Sequence, residues 1–365
     1  MSNETPFTLR PGAVGAPPQH YGNPLGEQRA LAAGKAIVDL SDRDILSVTG
    51  PDRLSWLDSL TSQRLLGLAP GVSAETLLLD PSGRVEYAAR VLDDGETIWL
   101  LMDAGTGAGL LAFLTKMRFM LRVEVLDRGG DFATIGTLGE LSTHPKLAAA
   151  AAAPNGVPLV WVDPWSSVVA GGVQYAATVE HPGLAWVALE VIIERSRLAE
   201  LDTLPAAGTL ALEALRLEAW RPRAATELDA TTIPHELDWL RSAVHLSKGC
   251  YRGQETVAKV HNLGHPPRRL VLLHLDGSDG VLPVAGDEVL VGEQPIGRVT
   301  AASLHYELGP IALAVVKRSA DPSAALAVRS SDGPLLAATQ QVIVPPDAGA
   351  AANVPRLPRV GAVRR

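Results

Sequence analysis

Lys248-Gly249-Cys250-Tyr251-Arg252-Gly253-Gln254-Glu255 is the stretch on which the reading of this 365-residue chain turns. Two glycines flank a thiol and a tyrosine, and a lysine and an arginine stand close by. Glycine accepts backbone angles that other residues resist, so Gly249 and Gly253 predict a tight loop. Behind it, Thr256–Val260 has helical character, with Glu255 and Lys259 spaced i, i+4 as a favourable pair. Ahead of it, Ala243-Val244-His245-Leu246 reads as a short strand. Cys250 is thus expected just before a helix N-terminus, where the helix dipole, Lys248 and Arg252 would favour a thiolate and make it a nucleophile or soft-metal ligand. The plain alternative is a small buried hydrophobe, the commoner fate of a lone cysteine.

Upstream of the loop, Leu210–Ala219 predicts a helix in which Leu210, Leu212, Leu215 and Leu217 alternate with Glu213, Arg216 and Glu218. Residues 221–264 are rich in polar residues, and Glu227–Asp238 is expected as a polar loop lining a central cavity. Earlier, Ile37–Leu40 and Ile45–Val48 read as short strands, and Gly50-Pro51-Asp52 opens a helix with Leu54, Leu57 and Leu60 on one face. Leu77–Leu79 and Val85–Val91 form a hairpin about Asp80-Pro81-Ser82-Gly83. Ile98–Met102 continues that sheet, and Gly107–Arg118 is helical in pattern. Phe132–Thr137, Leu159–Val162, Ser167–Ala170 and Trp186–Ile193 predict further strands, with helices at Leu147–Ala153 and Ser196–Leu204. After Pro266-Pro267 come short β segments at Leu270–Leu275, Glu288–Val291, Ile296–Ala301, Ile311–Val316, Ala325–Val328 and Val342–Val344. Gly and Asp punctuation between them suggests a small barrel.

The bulk properties bound the function. A net charge of −8 and a pI near 5.6 argue against a general nucleic-acid binder. The single cysteine excludes an intramolecular disulfide and suits a reducing, cytoplasmic compartment. It also cannot hold an iron–sulfur cluster, which takes several thiolates. No signal peptide or membrane-spanning run is legible. His261 and His265 have helical metal-ligand spacing but sit beside Gly264 and Pro266, and read as loop or surface histidines without a metal. Trp220 and Trp239 bracket the polar loop and serve packing or a stacked ring. Arg356, Arg359, Arg364 and Arg365 form a basic, solvated tail.

The string Lys248–Glu255 resembles the signature of the YgfZ group, folate-binding relatives of the glycine cleavage T-protein. Leu215-Arg216-Leu217-Glu218-Ala219 resembles the Arg-Leu-Glu-Ala-Gly helix of that superfamily, and Ile233-Pro234-His235-Glu236 the loop after it. Gly297–Thr300 and Ile311–Ala314 are similar to its barrel strands, while 50–71 and 79–91 are similar to its N-terminal half. Together the likeness covers roughly residues 34–320. It implies an α+β, T-protein-like multidomain ring of two intertwined α/β units and a C-terminal β-barrel about a folate-sized channel. The expected organisation is an irregular arm at 1–24, a first unit at 25–122, a second at 123–265, the barrel at 266–345 and a disordered tail at 346–365.

The same resemblance implies a tetrahydrofolate cofactor and an accessory role toward iron–sulfur enzymes or their assembly proteins, with an effect on tRNA modification. It makes Arg216 the folate candidate, against a surface salt bridge with Glu213 or Glu218. Cys250 and Lys248 carry over as the functional thiol and its neighbour, and Tyr251, Gln254 and Glu255 as cofactor-binding members of the signature. T-proteins place two acidic residues after a glycine pair, one of which assists aminomethyl transfer. In the matching stretch those positions hold Tyr87 and Ala88, and alanine cannot manage a proton. Glu86 points to the other face of the strand. Trp220 stands where the helix motif has glycine, an exchange expected to narrow the pocket entrance. Two other classes stay open: a folate-dependent aminomethyltransferase or demethylase, and a redox-responsive folate-binding regulatory module.

Overall fold

The structure is a computed structural model that describes residues 5–330 and 333–352. It is a mixed α/β assembly of two five-stranded sheets and a closed six-stranded barrel. The first sheet takes β1 (Ile37–Asp39), β7 (Phe132–Leu138), β8 (Val160–Val162), β9 (Ala188–Glu194) and β10 (Ala206–Ala207), in the order β10-β1-β7-β9-β8. The second takes β2 (Asp44–Thr49), β3 (Ser73–Leu79), β4 (Val85–Asp93), β5 (Thr97–Met102) and β6 (Glu124–Asp127), in the order β3-β4-β5-β2-β6. The chain therefore gives its first strand to one sheet, builds the other, and returns. The sheets share a buried layer in which Ile45, Trp99 and Leu101 of one meet Trp161 and Ile192 of the other. The Trp161 indole donates to the Ala74 carbonyl at 2.8 Å and ties the two together.

The barrel comprises β11 (Arg268–Leu275), β12 (Glu288–Val291), β13 (Gln294–His305), β14 (Gly309–Lys317), β15 (Leu326–Arg329) and β16 (Leu335–Val342). Its strands alternate: Val271, Leu273 and Leu275 fill the interior, while Leu270 and Leu272 face the rest of the protein. The expected last strand at Val342–Val344 is displaced: pairing runs over Leu335–Val342 against β11 and β15, and Ile343 and Val344 beyond it are buried in the large core.

Among the described residues seven α-helices pack around these sheets: α1 (Pro24–Ala32), α2 (Arg53–Leu60), α3 (Gly107–Met117), α4 (Pro145–Ala150), α5 (Thr209–Glu218), α6 (Ala224–Glu227) and α7 (Gln254–Leu263). Helix α5 touches α1, β1, β13 and β14, so it is enclosed on nearly every side. Ala211, Ala214, Leu215 and Leu217 are buried, and so is Arg216.

Three further elements differ from the sequence reading. Ser167–Ala170 forms no strand, since Val169 donates only one bond, to the Arg241 carbonyl. Ala243–Leu246 is an extended connector that bonds to Ser62 and Gly171 without joining a sheet. Arg195–Leu201 is a 3-10 helix rather than an α-helix. The N-terminal segment is irregular up to α1 but firmly packed, with Phe7 fully buried and Thr5 bonded to Asp39. Likewise 346–352 is tied down, with Ala350 and Ala351 donating to the carbonyls of Gly264 and His261. Arg356, Arg359, Arg364 and Arg365 lie outside the described residues. Among the described residues no helix is long and apolar enough to cross a membrane.

Candidate functional site

An inner cavity of about 270 Å³ lies where the first sheet, the second sheet and α5 converge. Five arginines (Arg43, Arg90, Arg216, Arg221 and Arg223) and four carboxylates (Asp42, Asp163, Glu190 and Glu213) line it, framed by Leu40, Leu212, Trp161 and Trp186. Pro17 and Gln19 of the N-terminal segment complete the wall.

The charges are held in a buried network. Arg43 pairs with Asp103 and, at 2.8 Å, with Glu190. Arg90 reaches the same two carboxylates, and Arg223 joins at Asp103. Burial works against the charge on Asp103, but Arg43, Arg90 and Arg223 outweigh it and hold the carboxyl far below its ordinary range. Arg221 donates to Asp163 at 2.9 Å and to Glu75 at 2.6 Å. Four polar atoms in this tightly paired shell are buried without a hydrogen-bond partner: Glu190 Oε2 and the Nε atoms of Arg43, Arg90 and Arg223. Unpartnered polar atoms thus lie buried beside two indoles at this cavity, an uncommon arrangement in a folded interior.

Arg216 stands in the wall of this cavity, 5% exposed, rather than on a surface. It bonds Glu213 on its own helix, Glu227 at 2.9 Å and the Arg221 carbonyl at 2.7 Å. The salt bridge with Glu213 therefore exists, and it is buried because α5 has no solvent face there.

A second, larger chamber of about 650 Å³ opens beyond β4. Tyr87, Ala88, Phe113, Leu228, Arg84 and Arg252 are among its lining residues. A small void of about 10 Å³, lined among others by Ala88, Arg90, Asp103, Arg221, Arg223 and Ala224, shares lining residues with both spaces.

The signature loop lies beside the outer chamber and meets it through Arg252, which pairs with Glu86 at 2.7 Å. None of Lys248, Cys250, Tyr251, Gln254 and Glu255 lines the inner cavity with Arg216. Cys250 is exposed on the loop before α7, as the glycine spacing predicts, and is not a buried hydrophobe.

The expected cations are committed elsewhere. The Lys248 ammonium donates to the carbonyls of Asp58, Thr61 and Gln63, two of which belong to the C-terminal end of α2. It caps that helix and anchors the loop, which leaves no free donor for catalysis. Tyr251 is buried with Lys248 Nζ 5.4 Å from its ring centroid, and Gln254 Nε2 bonds the Lys248 carbonyl at 3.3 Å. Among the described residues no ion pair joins Glu255 to Lys259.

Gly253 sets the loop against the β3–β4 hairpin. Its φ is +82°, and an added Cβ would lie 2.6 Å from the Asp80 carbonyl oxygen and 3.0 Å from Gly83 Cα. Both backbone strain and a clash with main chain follow, so Gly253→Ala is expected to cost about 1–3 kcal/mol in denaturant unfolding. A loss below about half a kcal/mol would mean that the hairpin yields freely and that the glycine is not what docks the loop.

Other residues fall differently from expectation. His235, Glu236 and Asp238 are fully buried and do not line the inner cavity; Glu236 pairs with Arg268. Only Leu228, Asp229 and Ala230 of that segment reach the outer chamber. Trp220 does not narrow an entrance: it is buried against His181, and the cavity indoles are Trp161 and Trp186. His261 lies on α7, half-buried, and meets the Tyr175 hydroxyl at 3.1 Å, while His265 bonds the Ala348 carbonyl. Arg43, Arg90, Trp161, Trp186, Glu190, Arg221 and Arg223 were not singled out from sequence. They come from separate segments whose local patterns mark only strands and turns.

Comparison with known proteins defines the class first. The glycine cleavage system aminomethyltransferase T from Bartonella henselae superposes with a TM-score of 0.71, covering 95% of this chain and 99% of that one at 18% identity. The fold is thus that of the aminomethyltransferases. No protein-family profile matches the chain. In sequence it is similar to a putative chloroplastic transferase of Arabidopsis thaliana, 27% identical over 302 residues, which span 77% of this chain and 66% of the relative. It is also similar to an aminomethyltransferase of Corynebacterium jeikeium, 25% identical over 338 residues, 85% and 86% of the two chains. An aminomethyltransferase of Streptomyces coelicolor is 25% identical over 318 residues, 82% of each.

Proposed function

We propose that this protein binds tetrahydrofolate in the inner cavity. The observation that carries the reading is the unsatisfied pair Glu190 Oε2 and Arg43 Nε, buried beside Trp161 and Trp186. A pterin head presents adjacent N–H donors and a carbonyl acceptor on one edge. Glu190 would take the donors, Arg43 the acceptor, and the indoles the ring faces. Bound reduced folate supplies a one-carbon-carrying nitrogen; the chain's own residues bind and orient the ring and exclude water. The aminomethyltransferase relatives support the same ligand class. Calorimetric titration with tetrahydrofolate tests the proposal: saturable micromolar binding is expected, and no heat from a folded sample would remove it.

Beyond folate binding, the protein is an accessory factor for iron–sulfur enzymes, with the exposed Cys250 as its working thiol. The signature at Lys248–Glu255 supports this, together with Tyr87 and Ala88 in place of the acidic pair. Cys250→Ser is expected to leave the thermal midpoint and folate affinity unchanged and to lower iron–sulfur enzyme activity in cells that carry only the variant. Full activity in those cells would eliminate the thiol role. The aminomethyltransferase reading is favoured by the names of the relatives, and it predicts tetrahydrofolate-dependent turnover of an aminomethyl donor.

A further inference from the structure

One buried group serves neither the cavity nor the loop. Asp238 is fully buried at the corner between the 3-10 turns Pro234–Leu237 and Trp239–Arg241, with φ +54°. Its Oδ1 accepts the Tyr175 amide, but Oδ2 has no hydrogen-bond partner. The nearest cationisable atom is His181 Nε2 at 3.9 Å, itself buried and unpartnered. The Gly183 amide donates to His181 Nδ1, so the proton of the neutral ring resides on Nε2 and points toward Asp238. Arg241, from the turn that follows Asp238, gives Nη1 to Gln174 and leaves Nε unsatisfied; Arg221 and Asp163 stand beyond it. Tyr175 is the remaining titratable neighbour, and its hydroxyl is engaged by His261 of α7.

The surroundings are strained. Among the described residues, the non-glycine positions with positive φ are Phe119, Trp220, Asp238 and Ala350. Two of these four flank His181: the Trp220 ring lies 5.2 Å away, edge-on, and the Asp238 carboxyl on the other side. Left-handed backbone at a bulky residue such as Trp220 persists only where surrounding contacts enforce it, while aspartate adopts it more readily. Trp220 runs directly into Arg221 of the cavity wall, and Asp238 holds Tyr175, which reaches α7.

We infer that Asp238 is a proton-operated latch, neutral when closed, joining the cavity wall to the helix behind the signature loop. A charge on a fully buried carboxylate with one oxygen unpartnered is costly at the closed geometry. Deprotonation therefore draws Asp238 toward Arg241 Nε or His181 and releases residues 173–176. Burial pushes this carboxyl up to about 7, partly opposed by the Tyr175 N–H, Arg241 and the Ala176 N–H, while burial and then Arg241 push His181 down to about 3. The sign follows: a carboxyl raised on folding stabilises in acid, and that contribution is lost as pH rises toward about 7.

The test compares wild type with Asp238→Asn, whose amide keeps the Tyr175 contact. Thermal midpoints are measured between about pH 4 and about pH 8, with hydrogen exchange of residues 173–176. The wild type is expected to lose several degrees across this range relative to the variant, and its 173–176 amides to exchange at least about tenfold faster beyond the intrinsic pH effect. Parallel curves with unchanged exchange would overturn the latch. Should the variant fail to fold, infrared difference spectra of the wild type decide. A protonated-carboxylic-acid band that disappears as pH rises through neutrality supports the latch, and absence of any such band overturns it.

Discussion

Arg216→Ala unfolds well before the wild type, losing about 3–5 kcal/mol in denaturant titration at neutral pH. Arg216 is a buried guanidinium shared by two carboxylates, and the Glu227 side chain is fully excluded from solvent. Removing the cation leaves Glu227 with only Thr226, Thr300 and the Arg223 amide, and Glu213 with a looser contact to Arg223 at 3.6 Å. The loss is dominated by the uncompensated buried charge rather than by the missing contacts. Its pH dependence carries a sign. Burial raises the Glu213 carboxyl, but Arg216 overrides this and holds it below its ordinary range. A depressed carboxyl contributes stability that is present above its unfolded pKa and fades as pH falls. The deficit of Arg216→Ala therefore shrinks in acid. A loss near that of an exposed pair, under about 1 kcal/mol, would show that water reaches this network freely.

Glu190→Gln separates binding from stability. The amide keeps the shape of Glu190, and Arg43 and Arg90 both retain Asp103. What disappears is the negative charge at the unpartnered oxygen to which the proposal assigns the pterin donors. Tetrahydrofolate affinity is expected to fall about 10- to 100-fold, the worth of a charge-assisted bond in a buried site. Unfolding free energy should fall by about 1–3 kcal/mol, less than for Arg216→Ala. Arg43 and Arg90 then share the charge of Asp103 alone, while the amide oxygen can keep a hydrogen bond. Unchanged affinity would place folate elsewhere, and the outer chamber would be the next space to probe. Arg216→Ala alone cannot make this distinction, because it lowers binding through the fold as well as through the cavity wall.

The alternation of apolar residues made Leu270–Leu275 and Ile311–Val316 legible as strands, because side-chain direction follows local backbone geometry. The Asp80-Pro81-Ser82-Gly83 turn and the start of α7 behind Gly253 were legible for the same reason. Ser167–Ala170 carries the same β-branched signal, yet no neighbouring strand lies alongside it; pairing is decided by what arrives across the gap. The heptapeptide Arg195–Leu201 has helical residues but too short a run to propagate against its contacts.

The site divides along the same line. By itself the sequence determined that Cys250 lies on a tight loop before a helix, since two glycines and a following helical segment suffice for that, while its exposure was set by the tertiary structure. It also set Arg216 three residues after Glu213, within reach of one another on any α-helix. Only the tertiary structure decided that this pair is buried, that Lys248 turns away from Cys250 to cap α2, and that Glu190 meets Arg43 and Arg90. Those outcomes depend on which elements enclose α5 and on strands brought together from distant parts of the chain. A carboxylate's partner and its exposure are properties of that enclosure, and no local pattern around Glu190 encodes them.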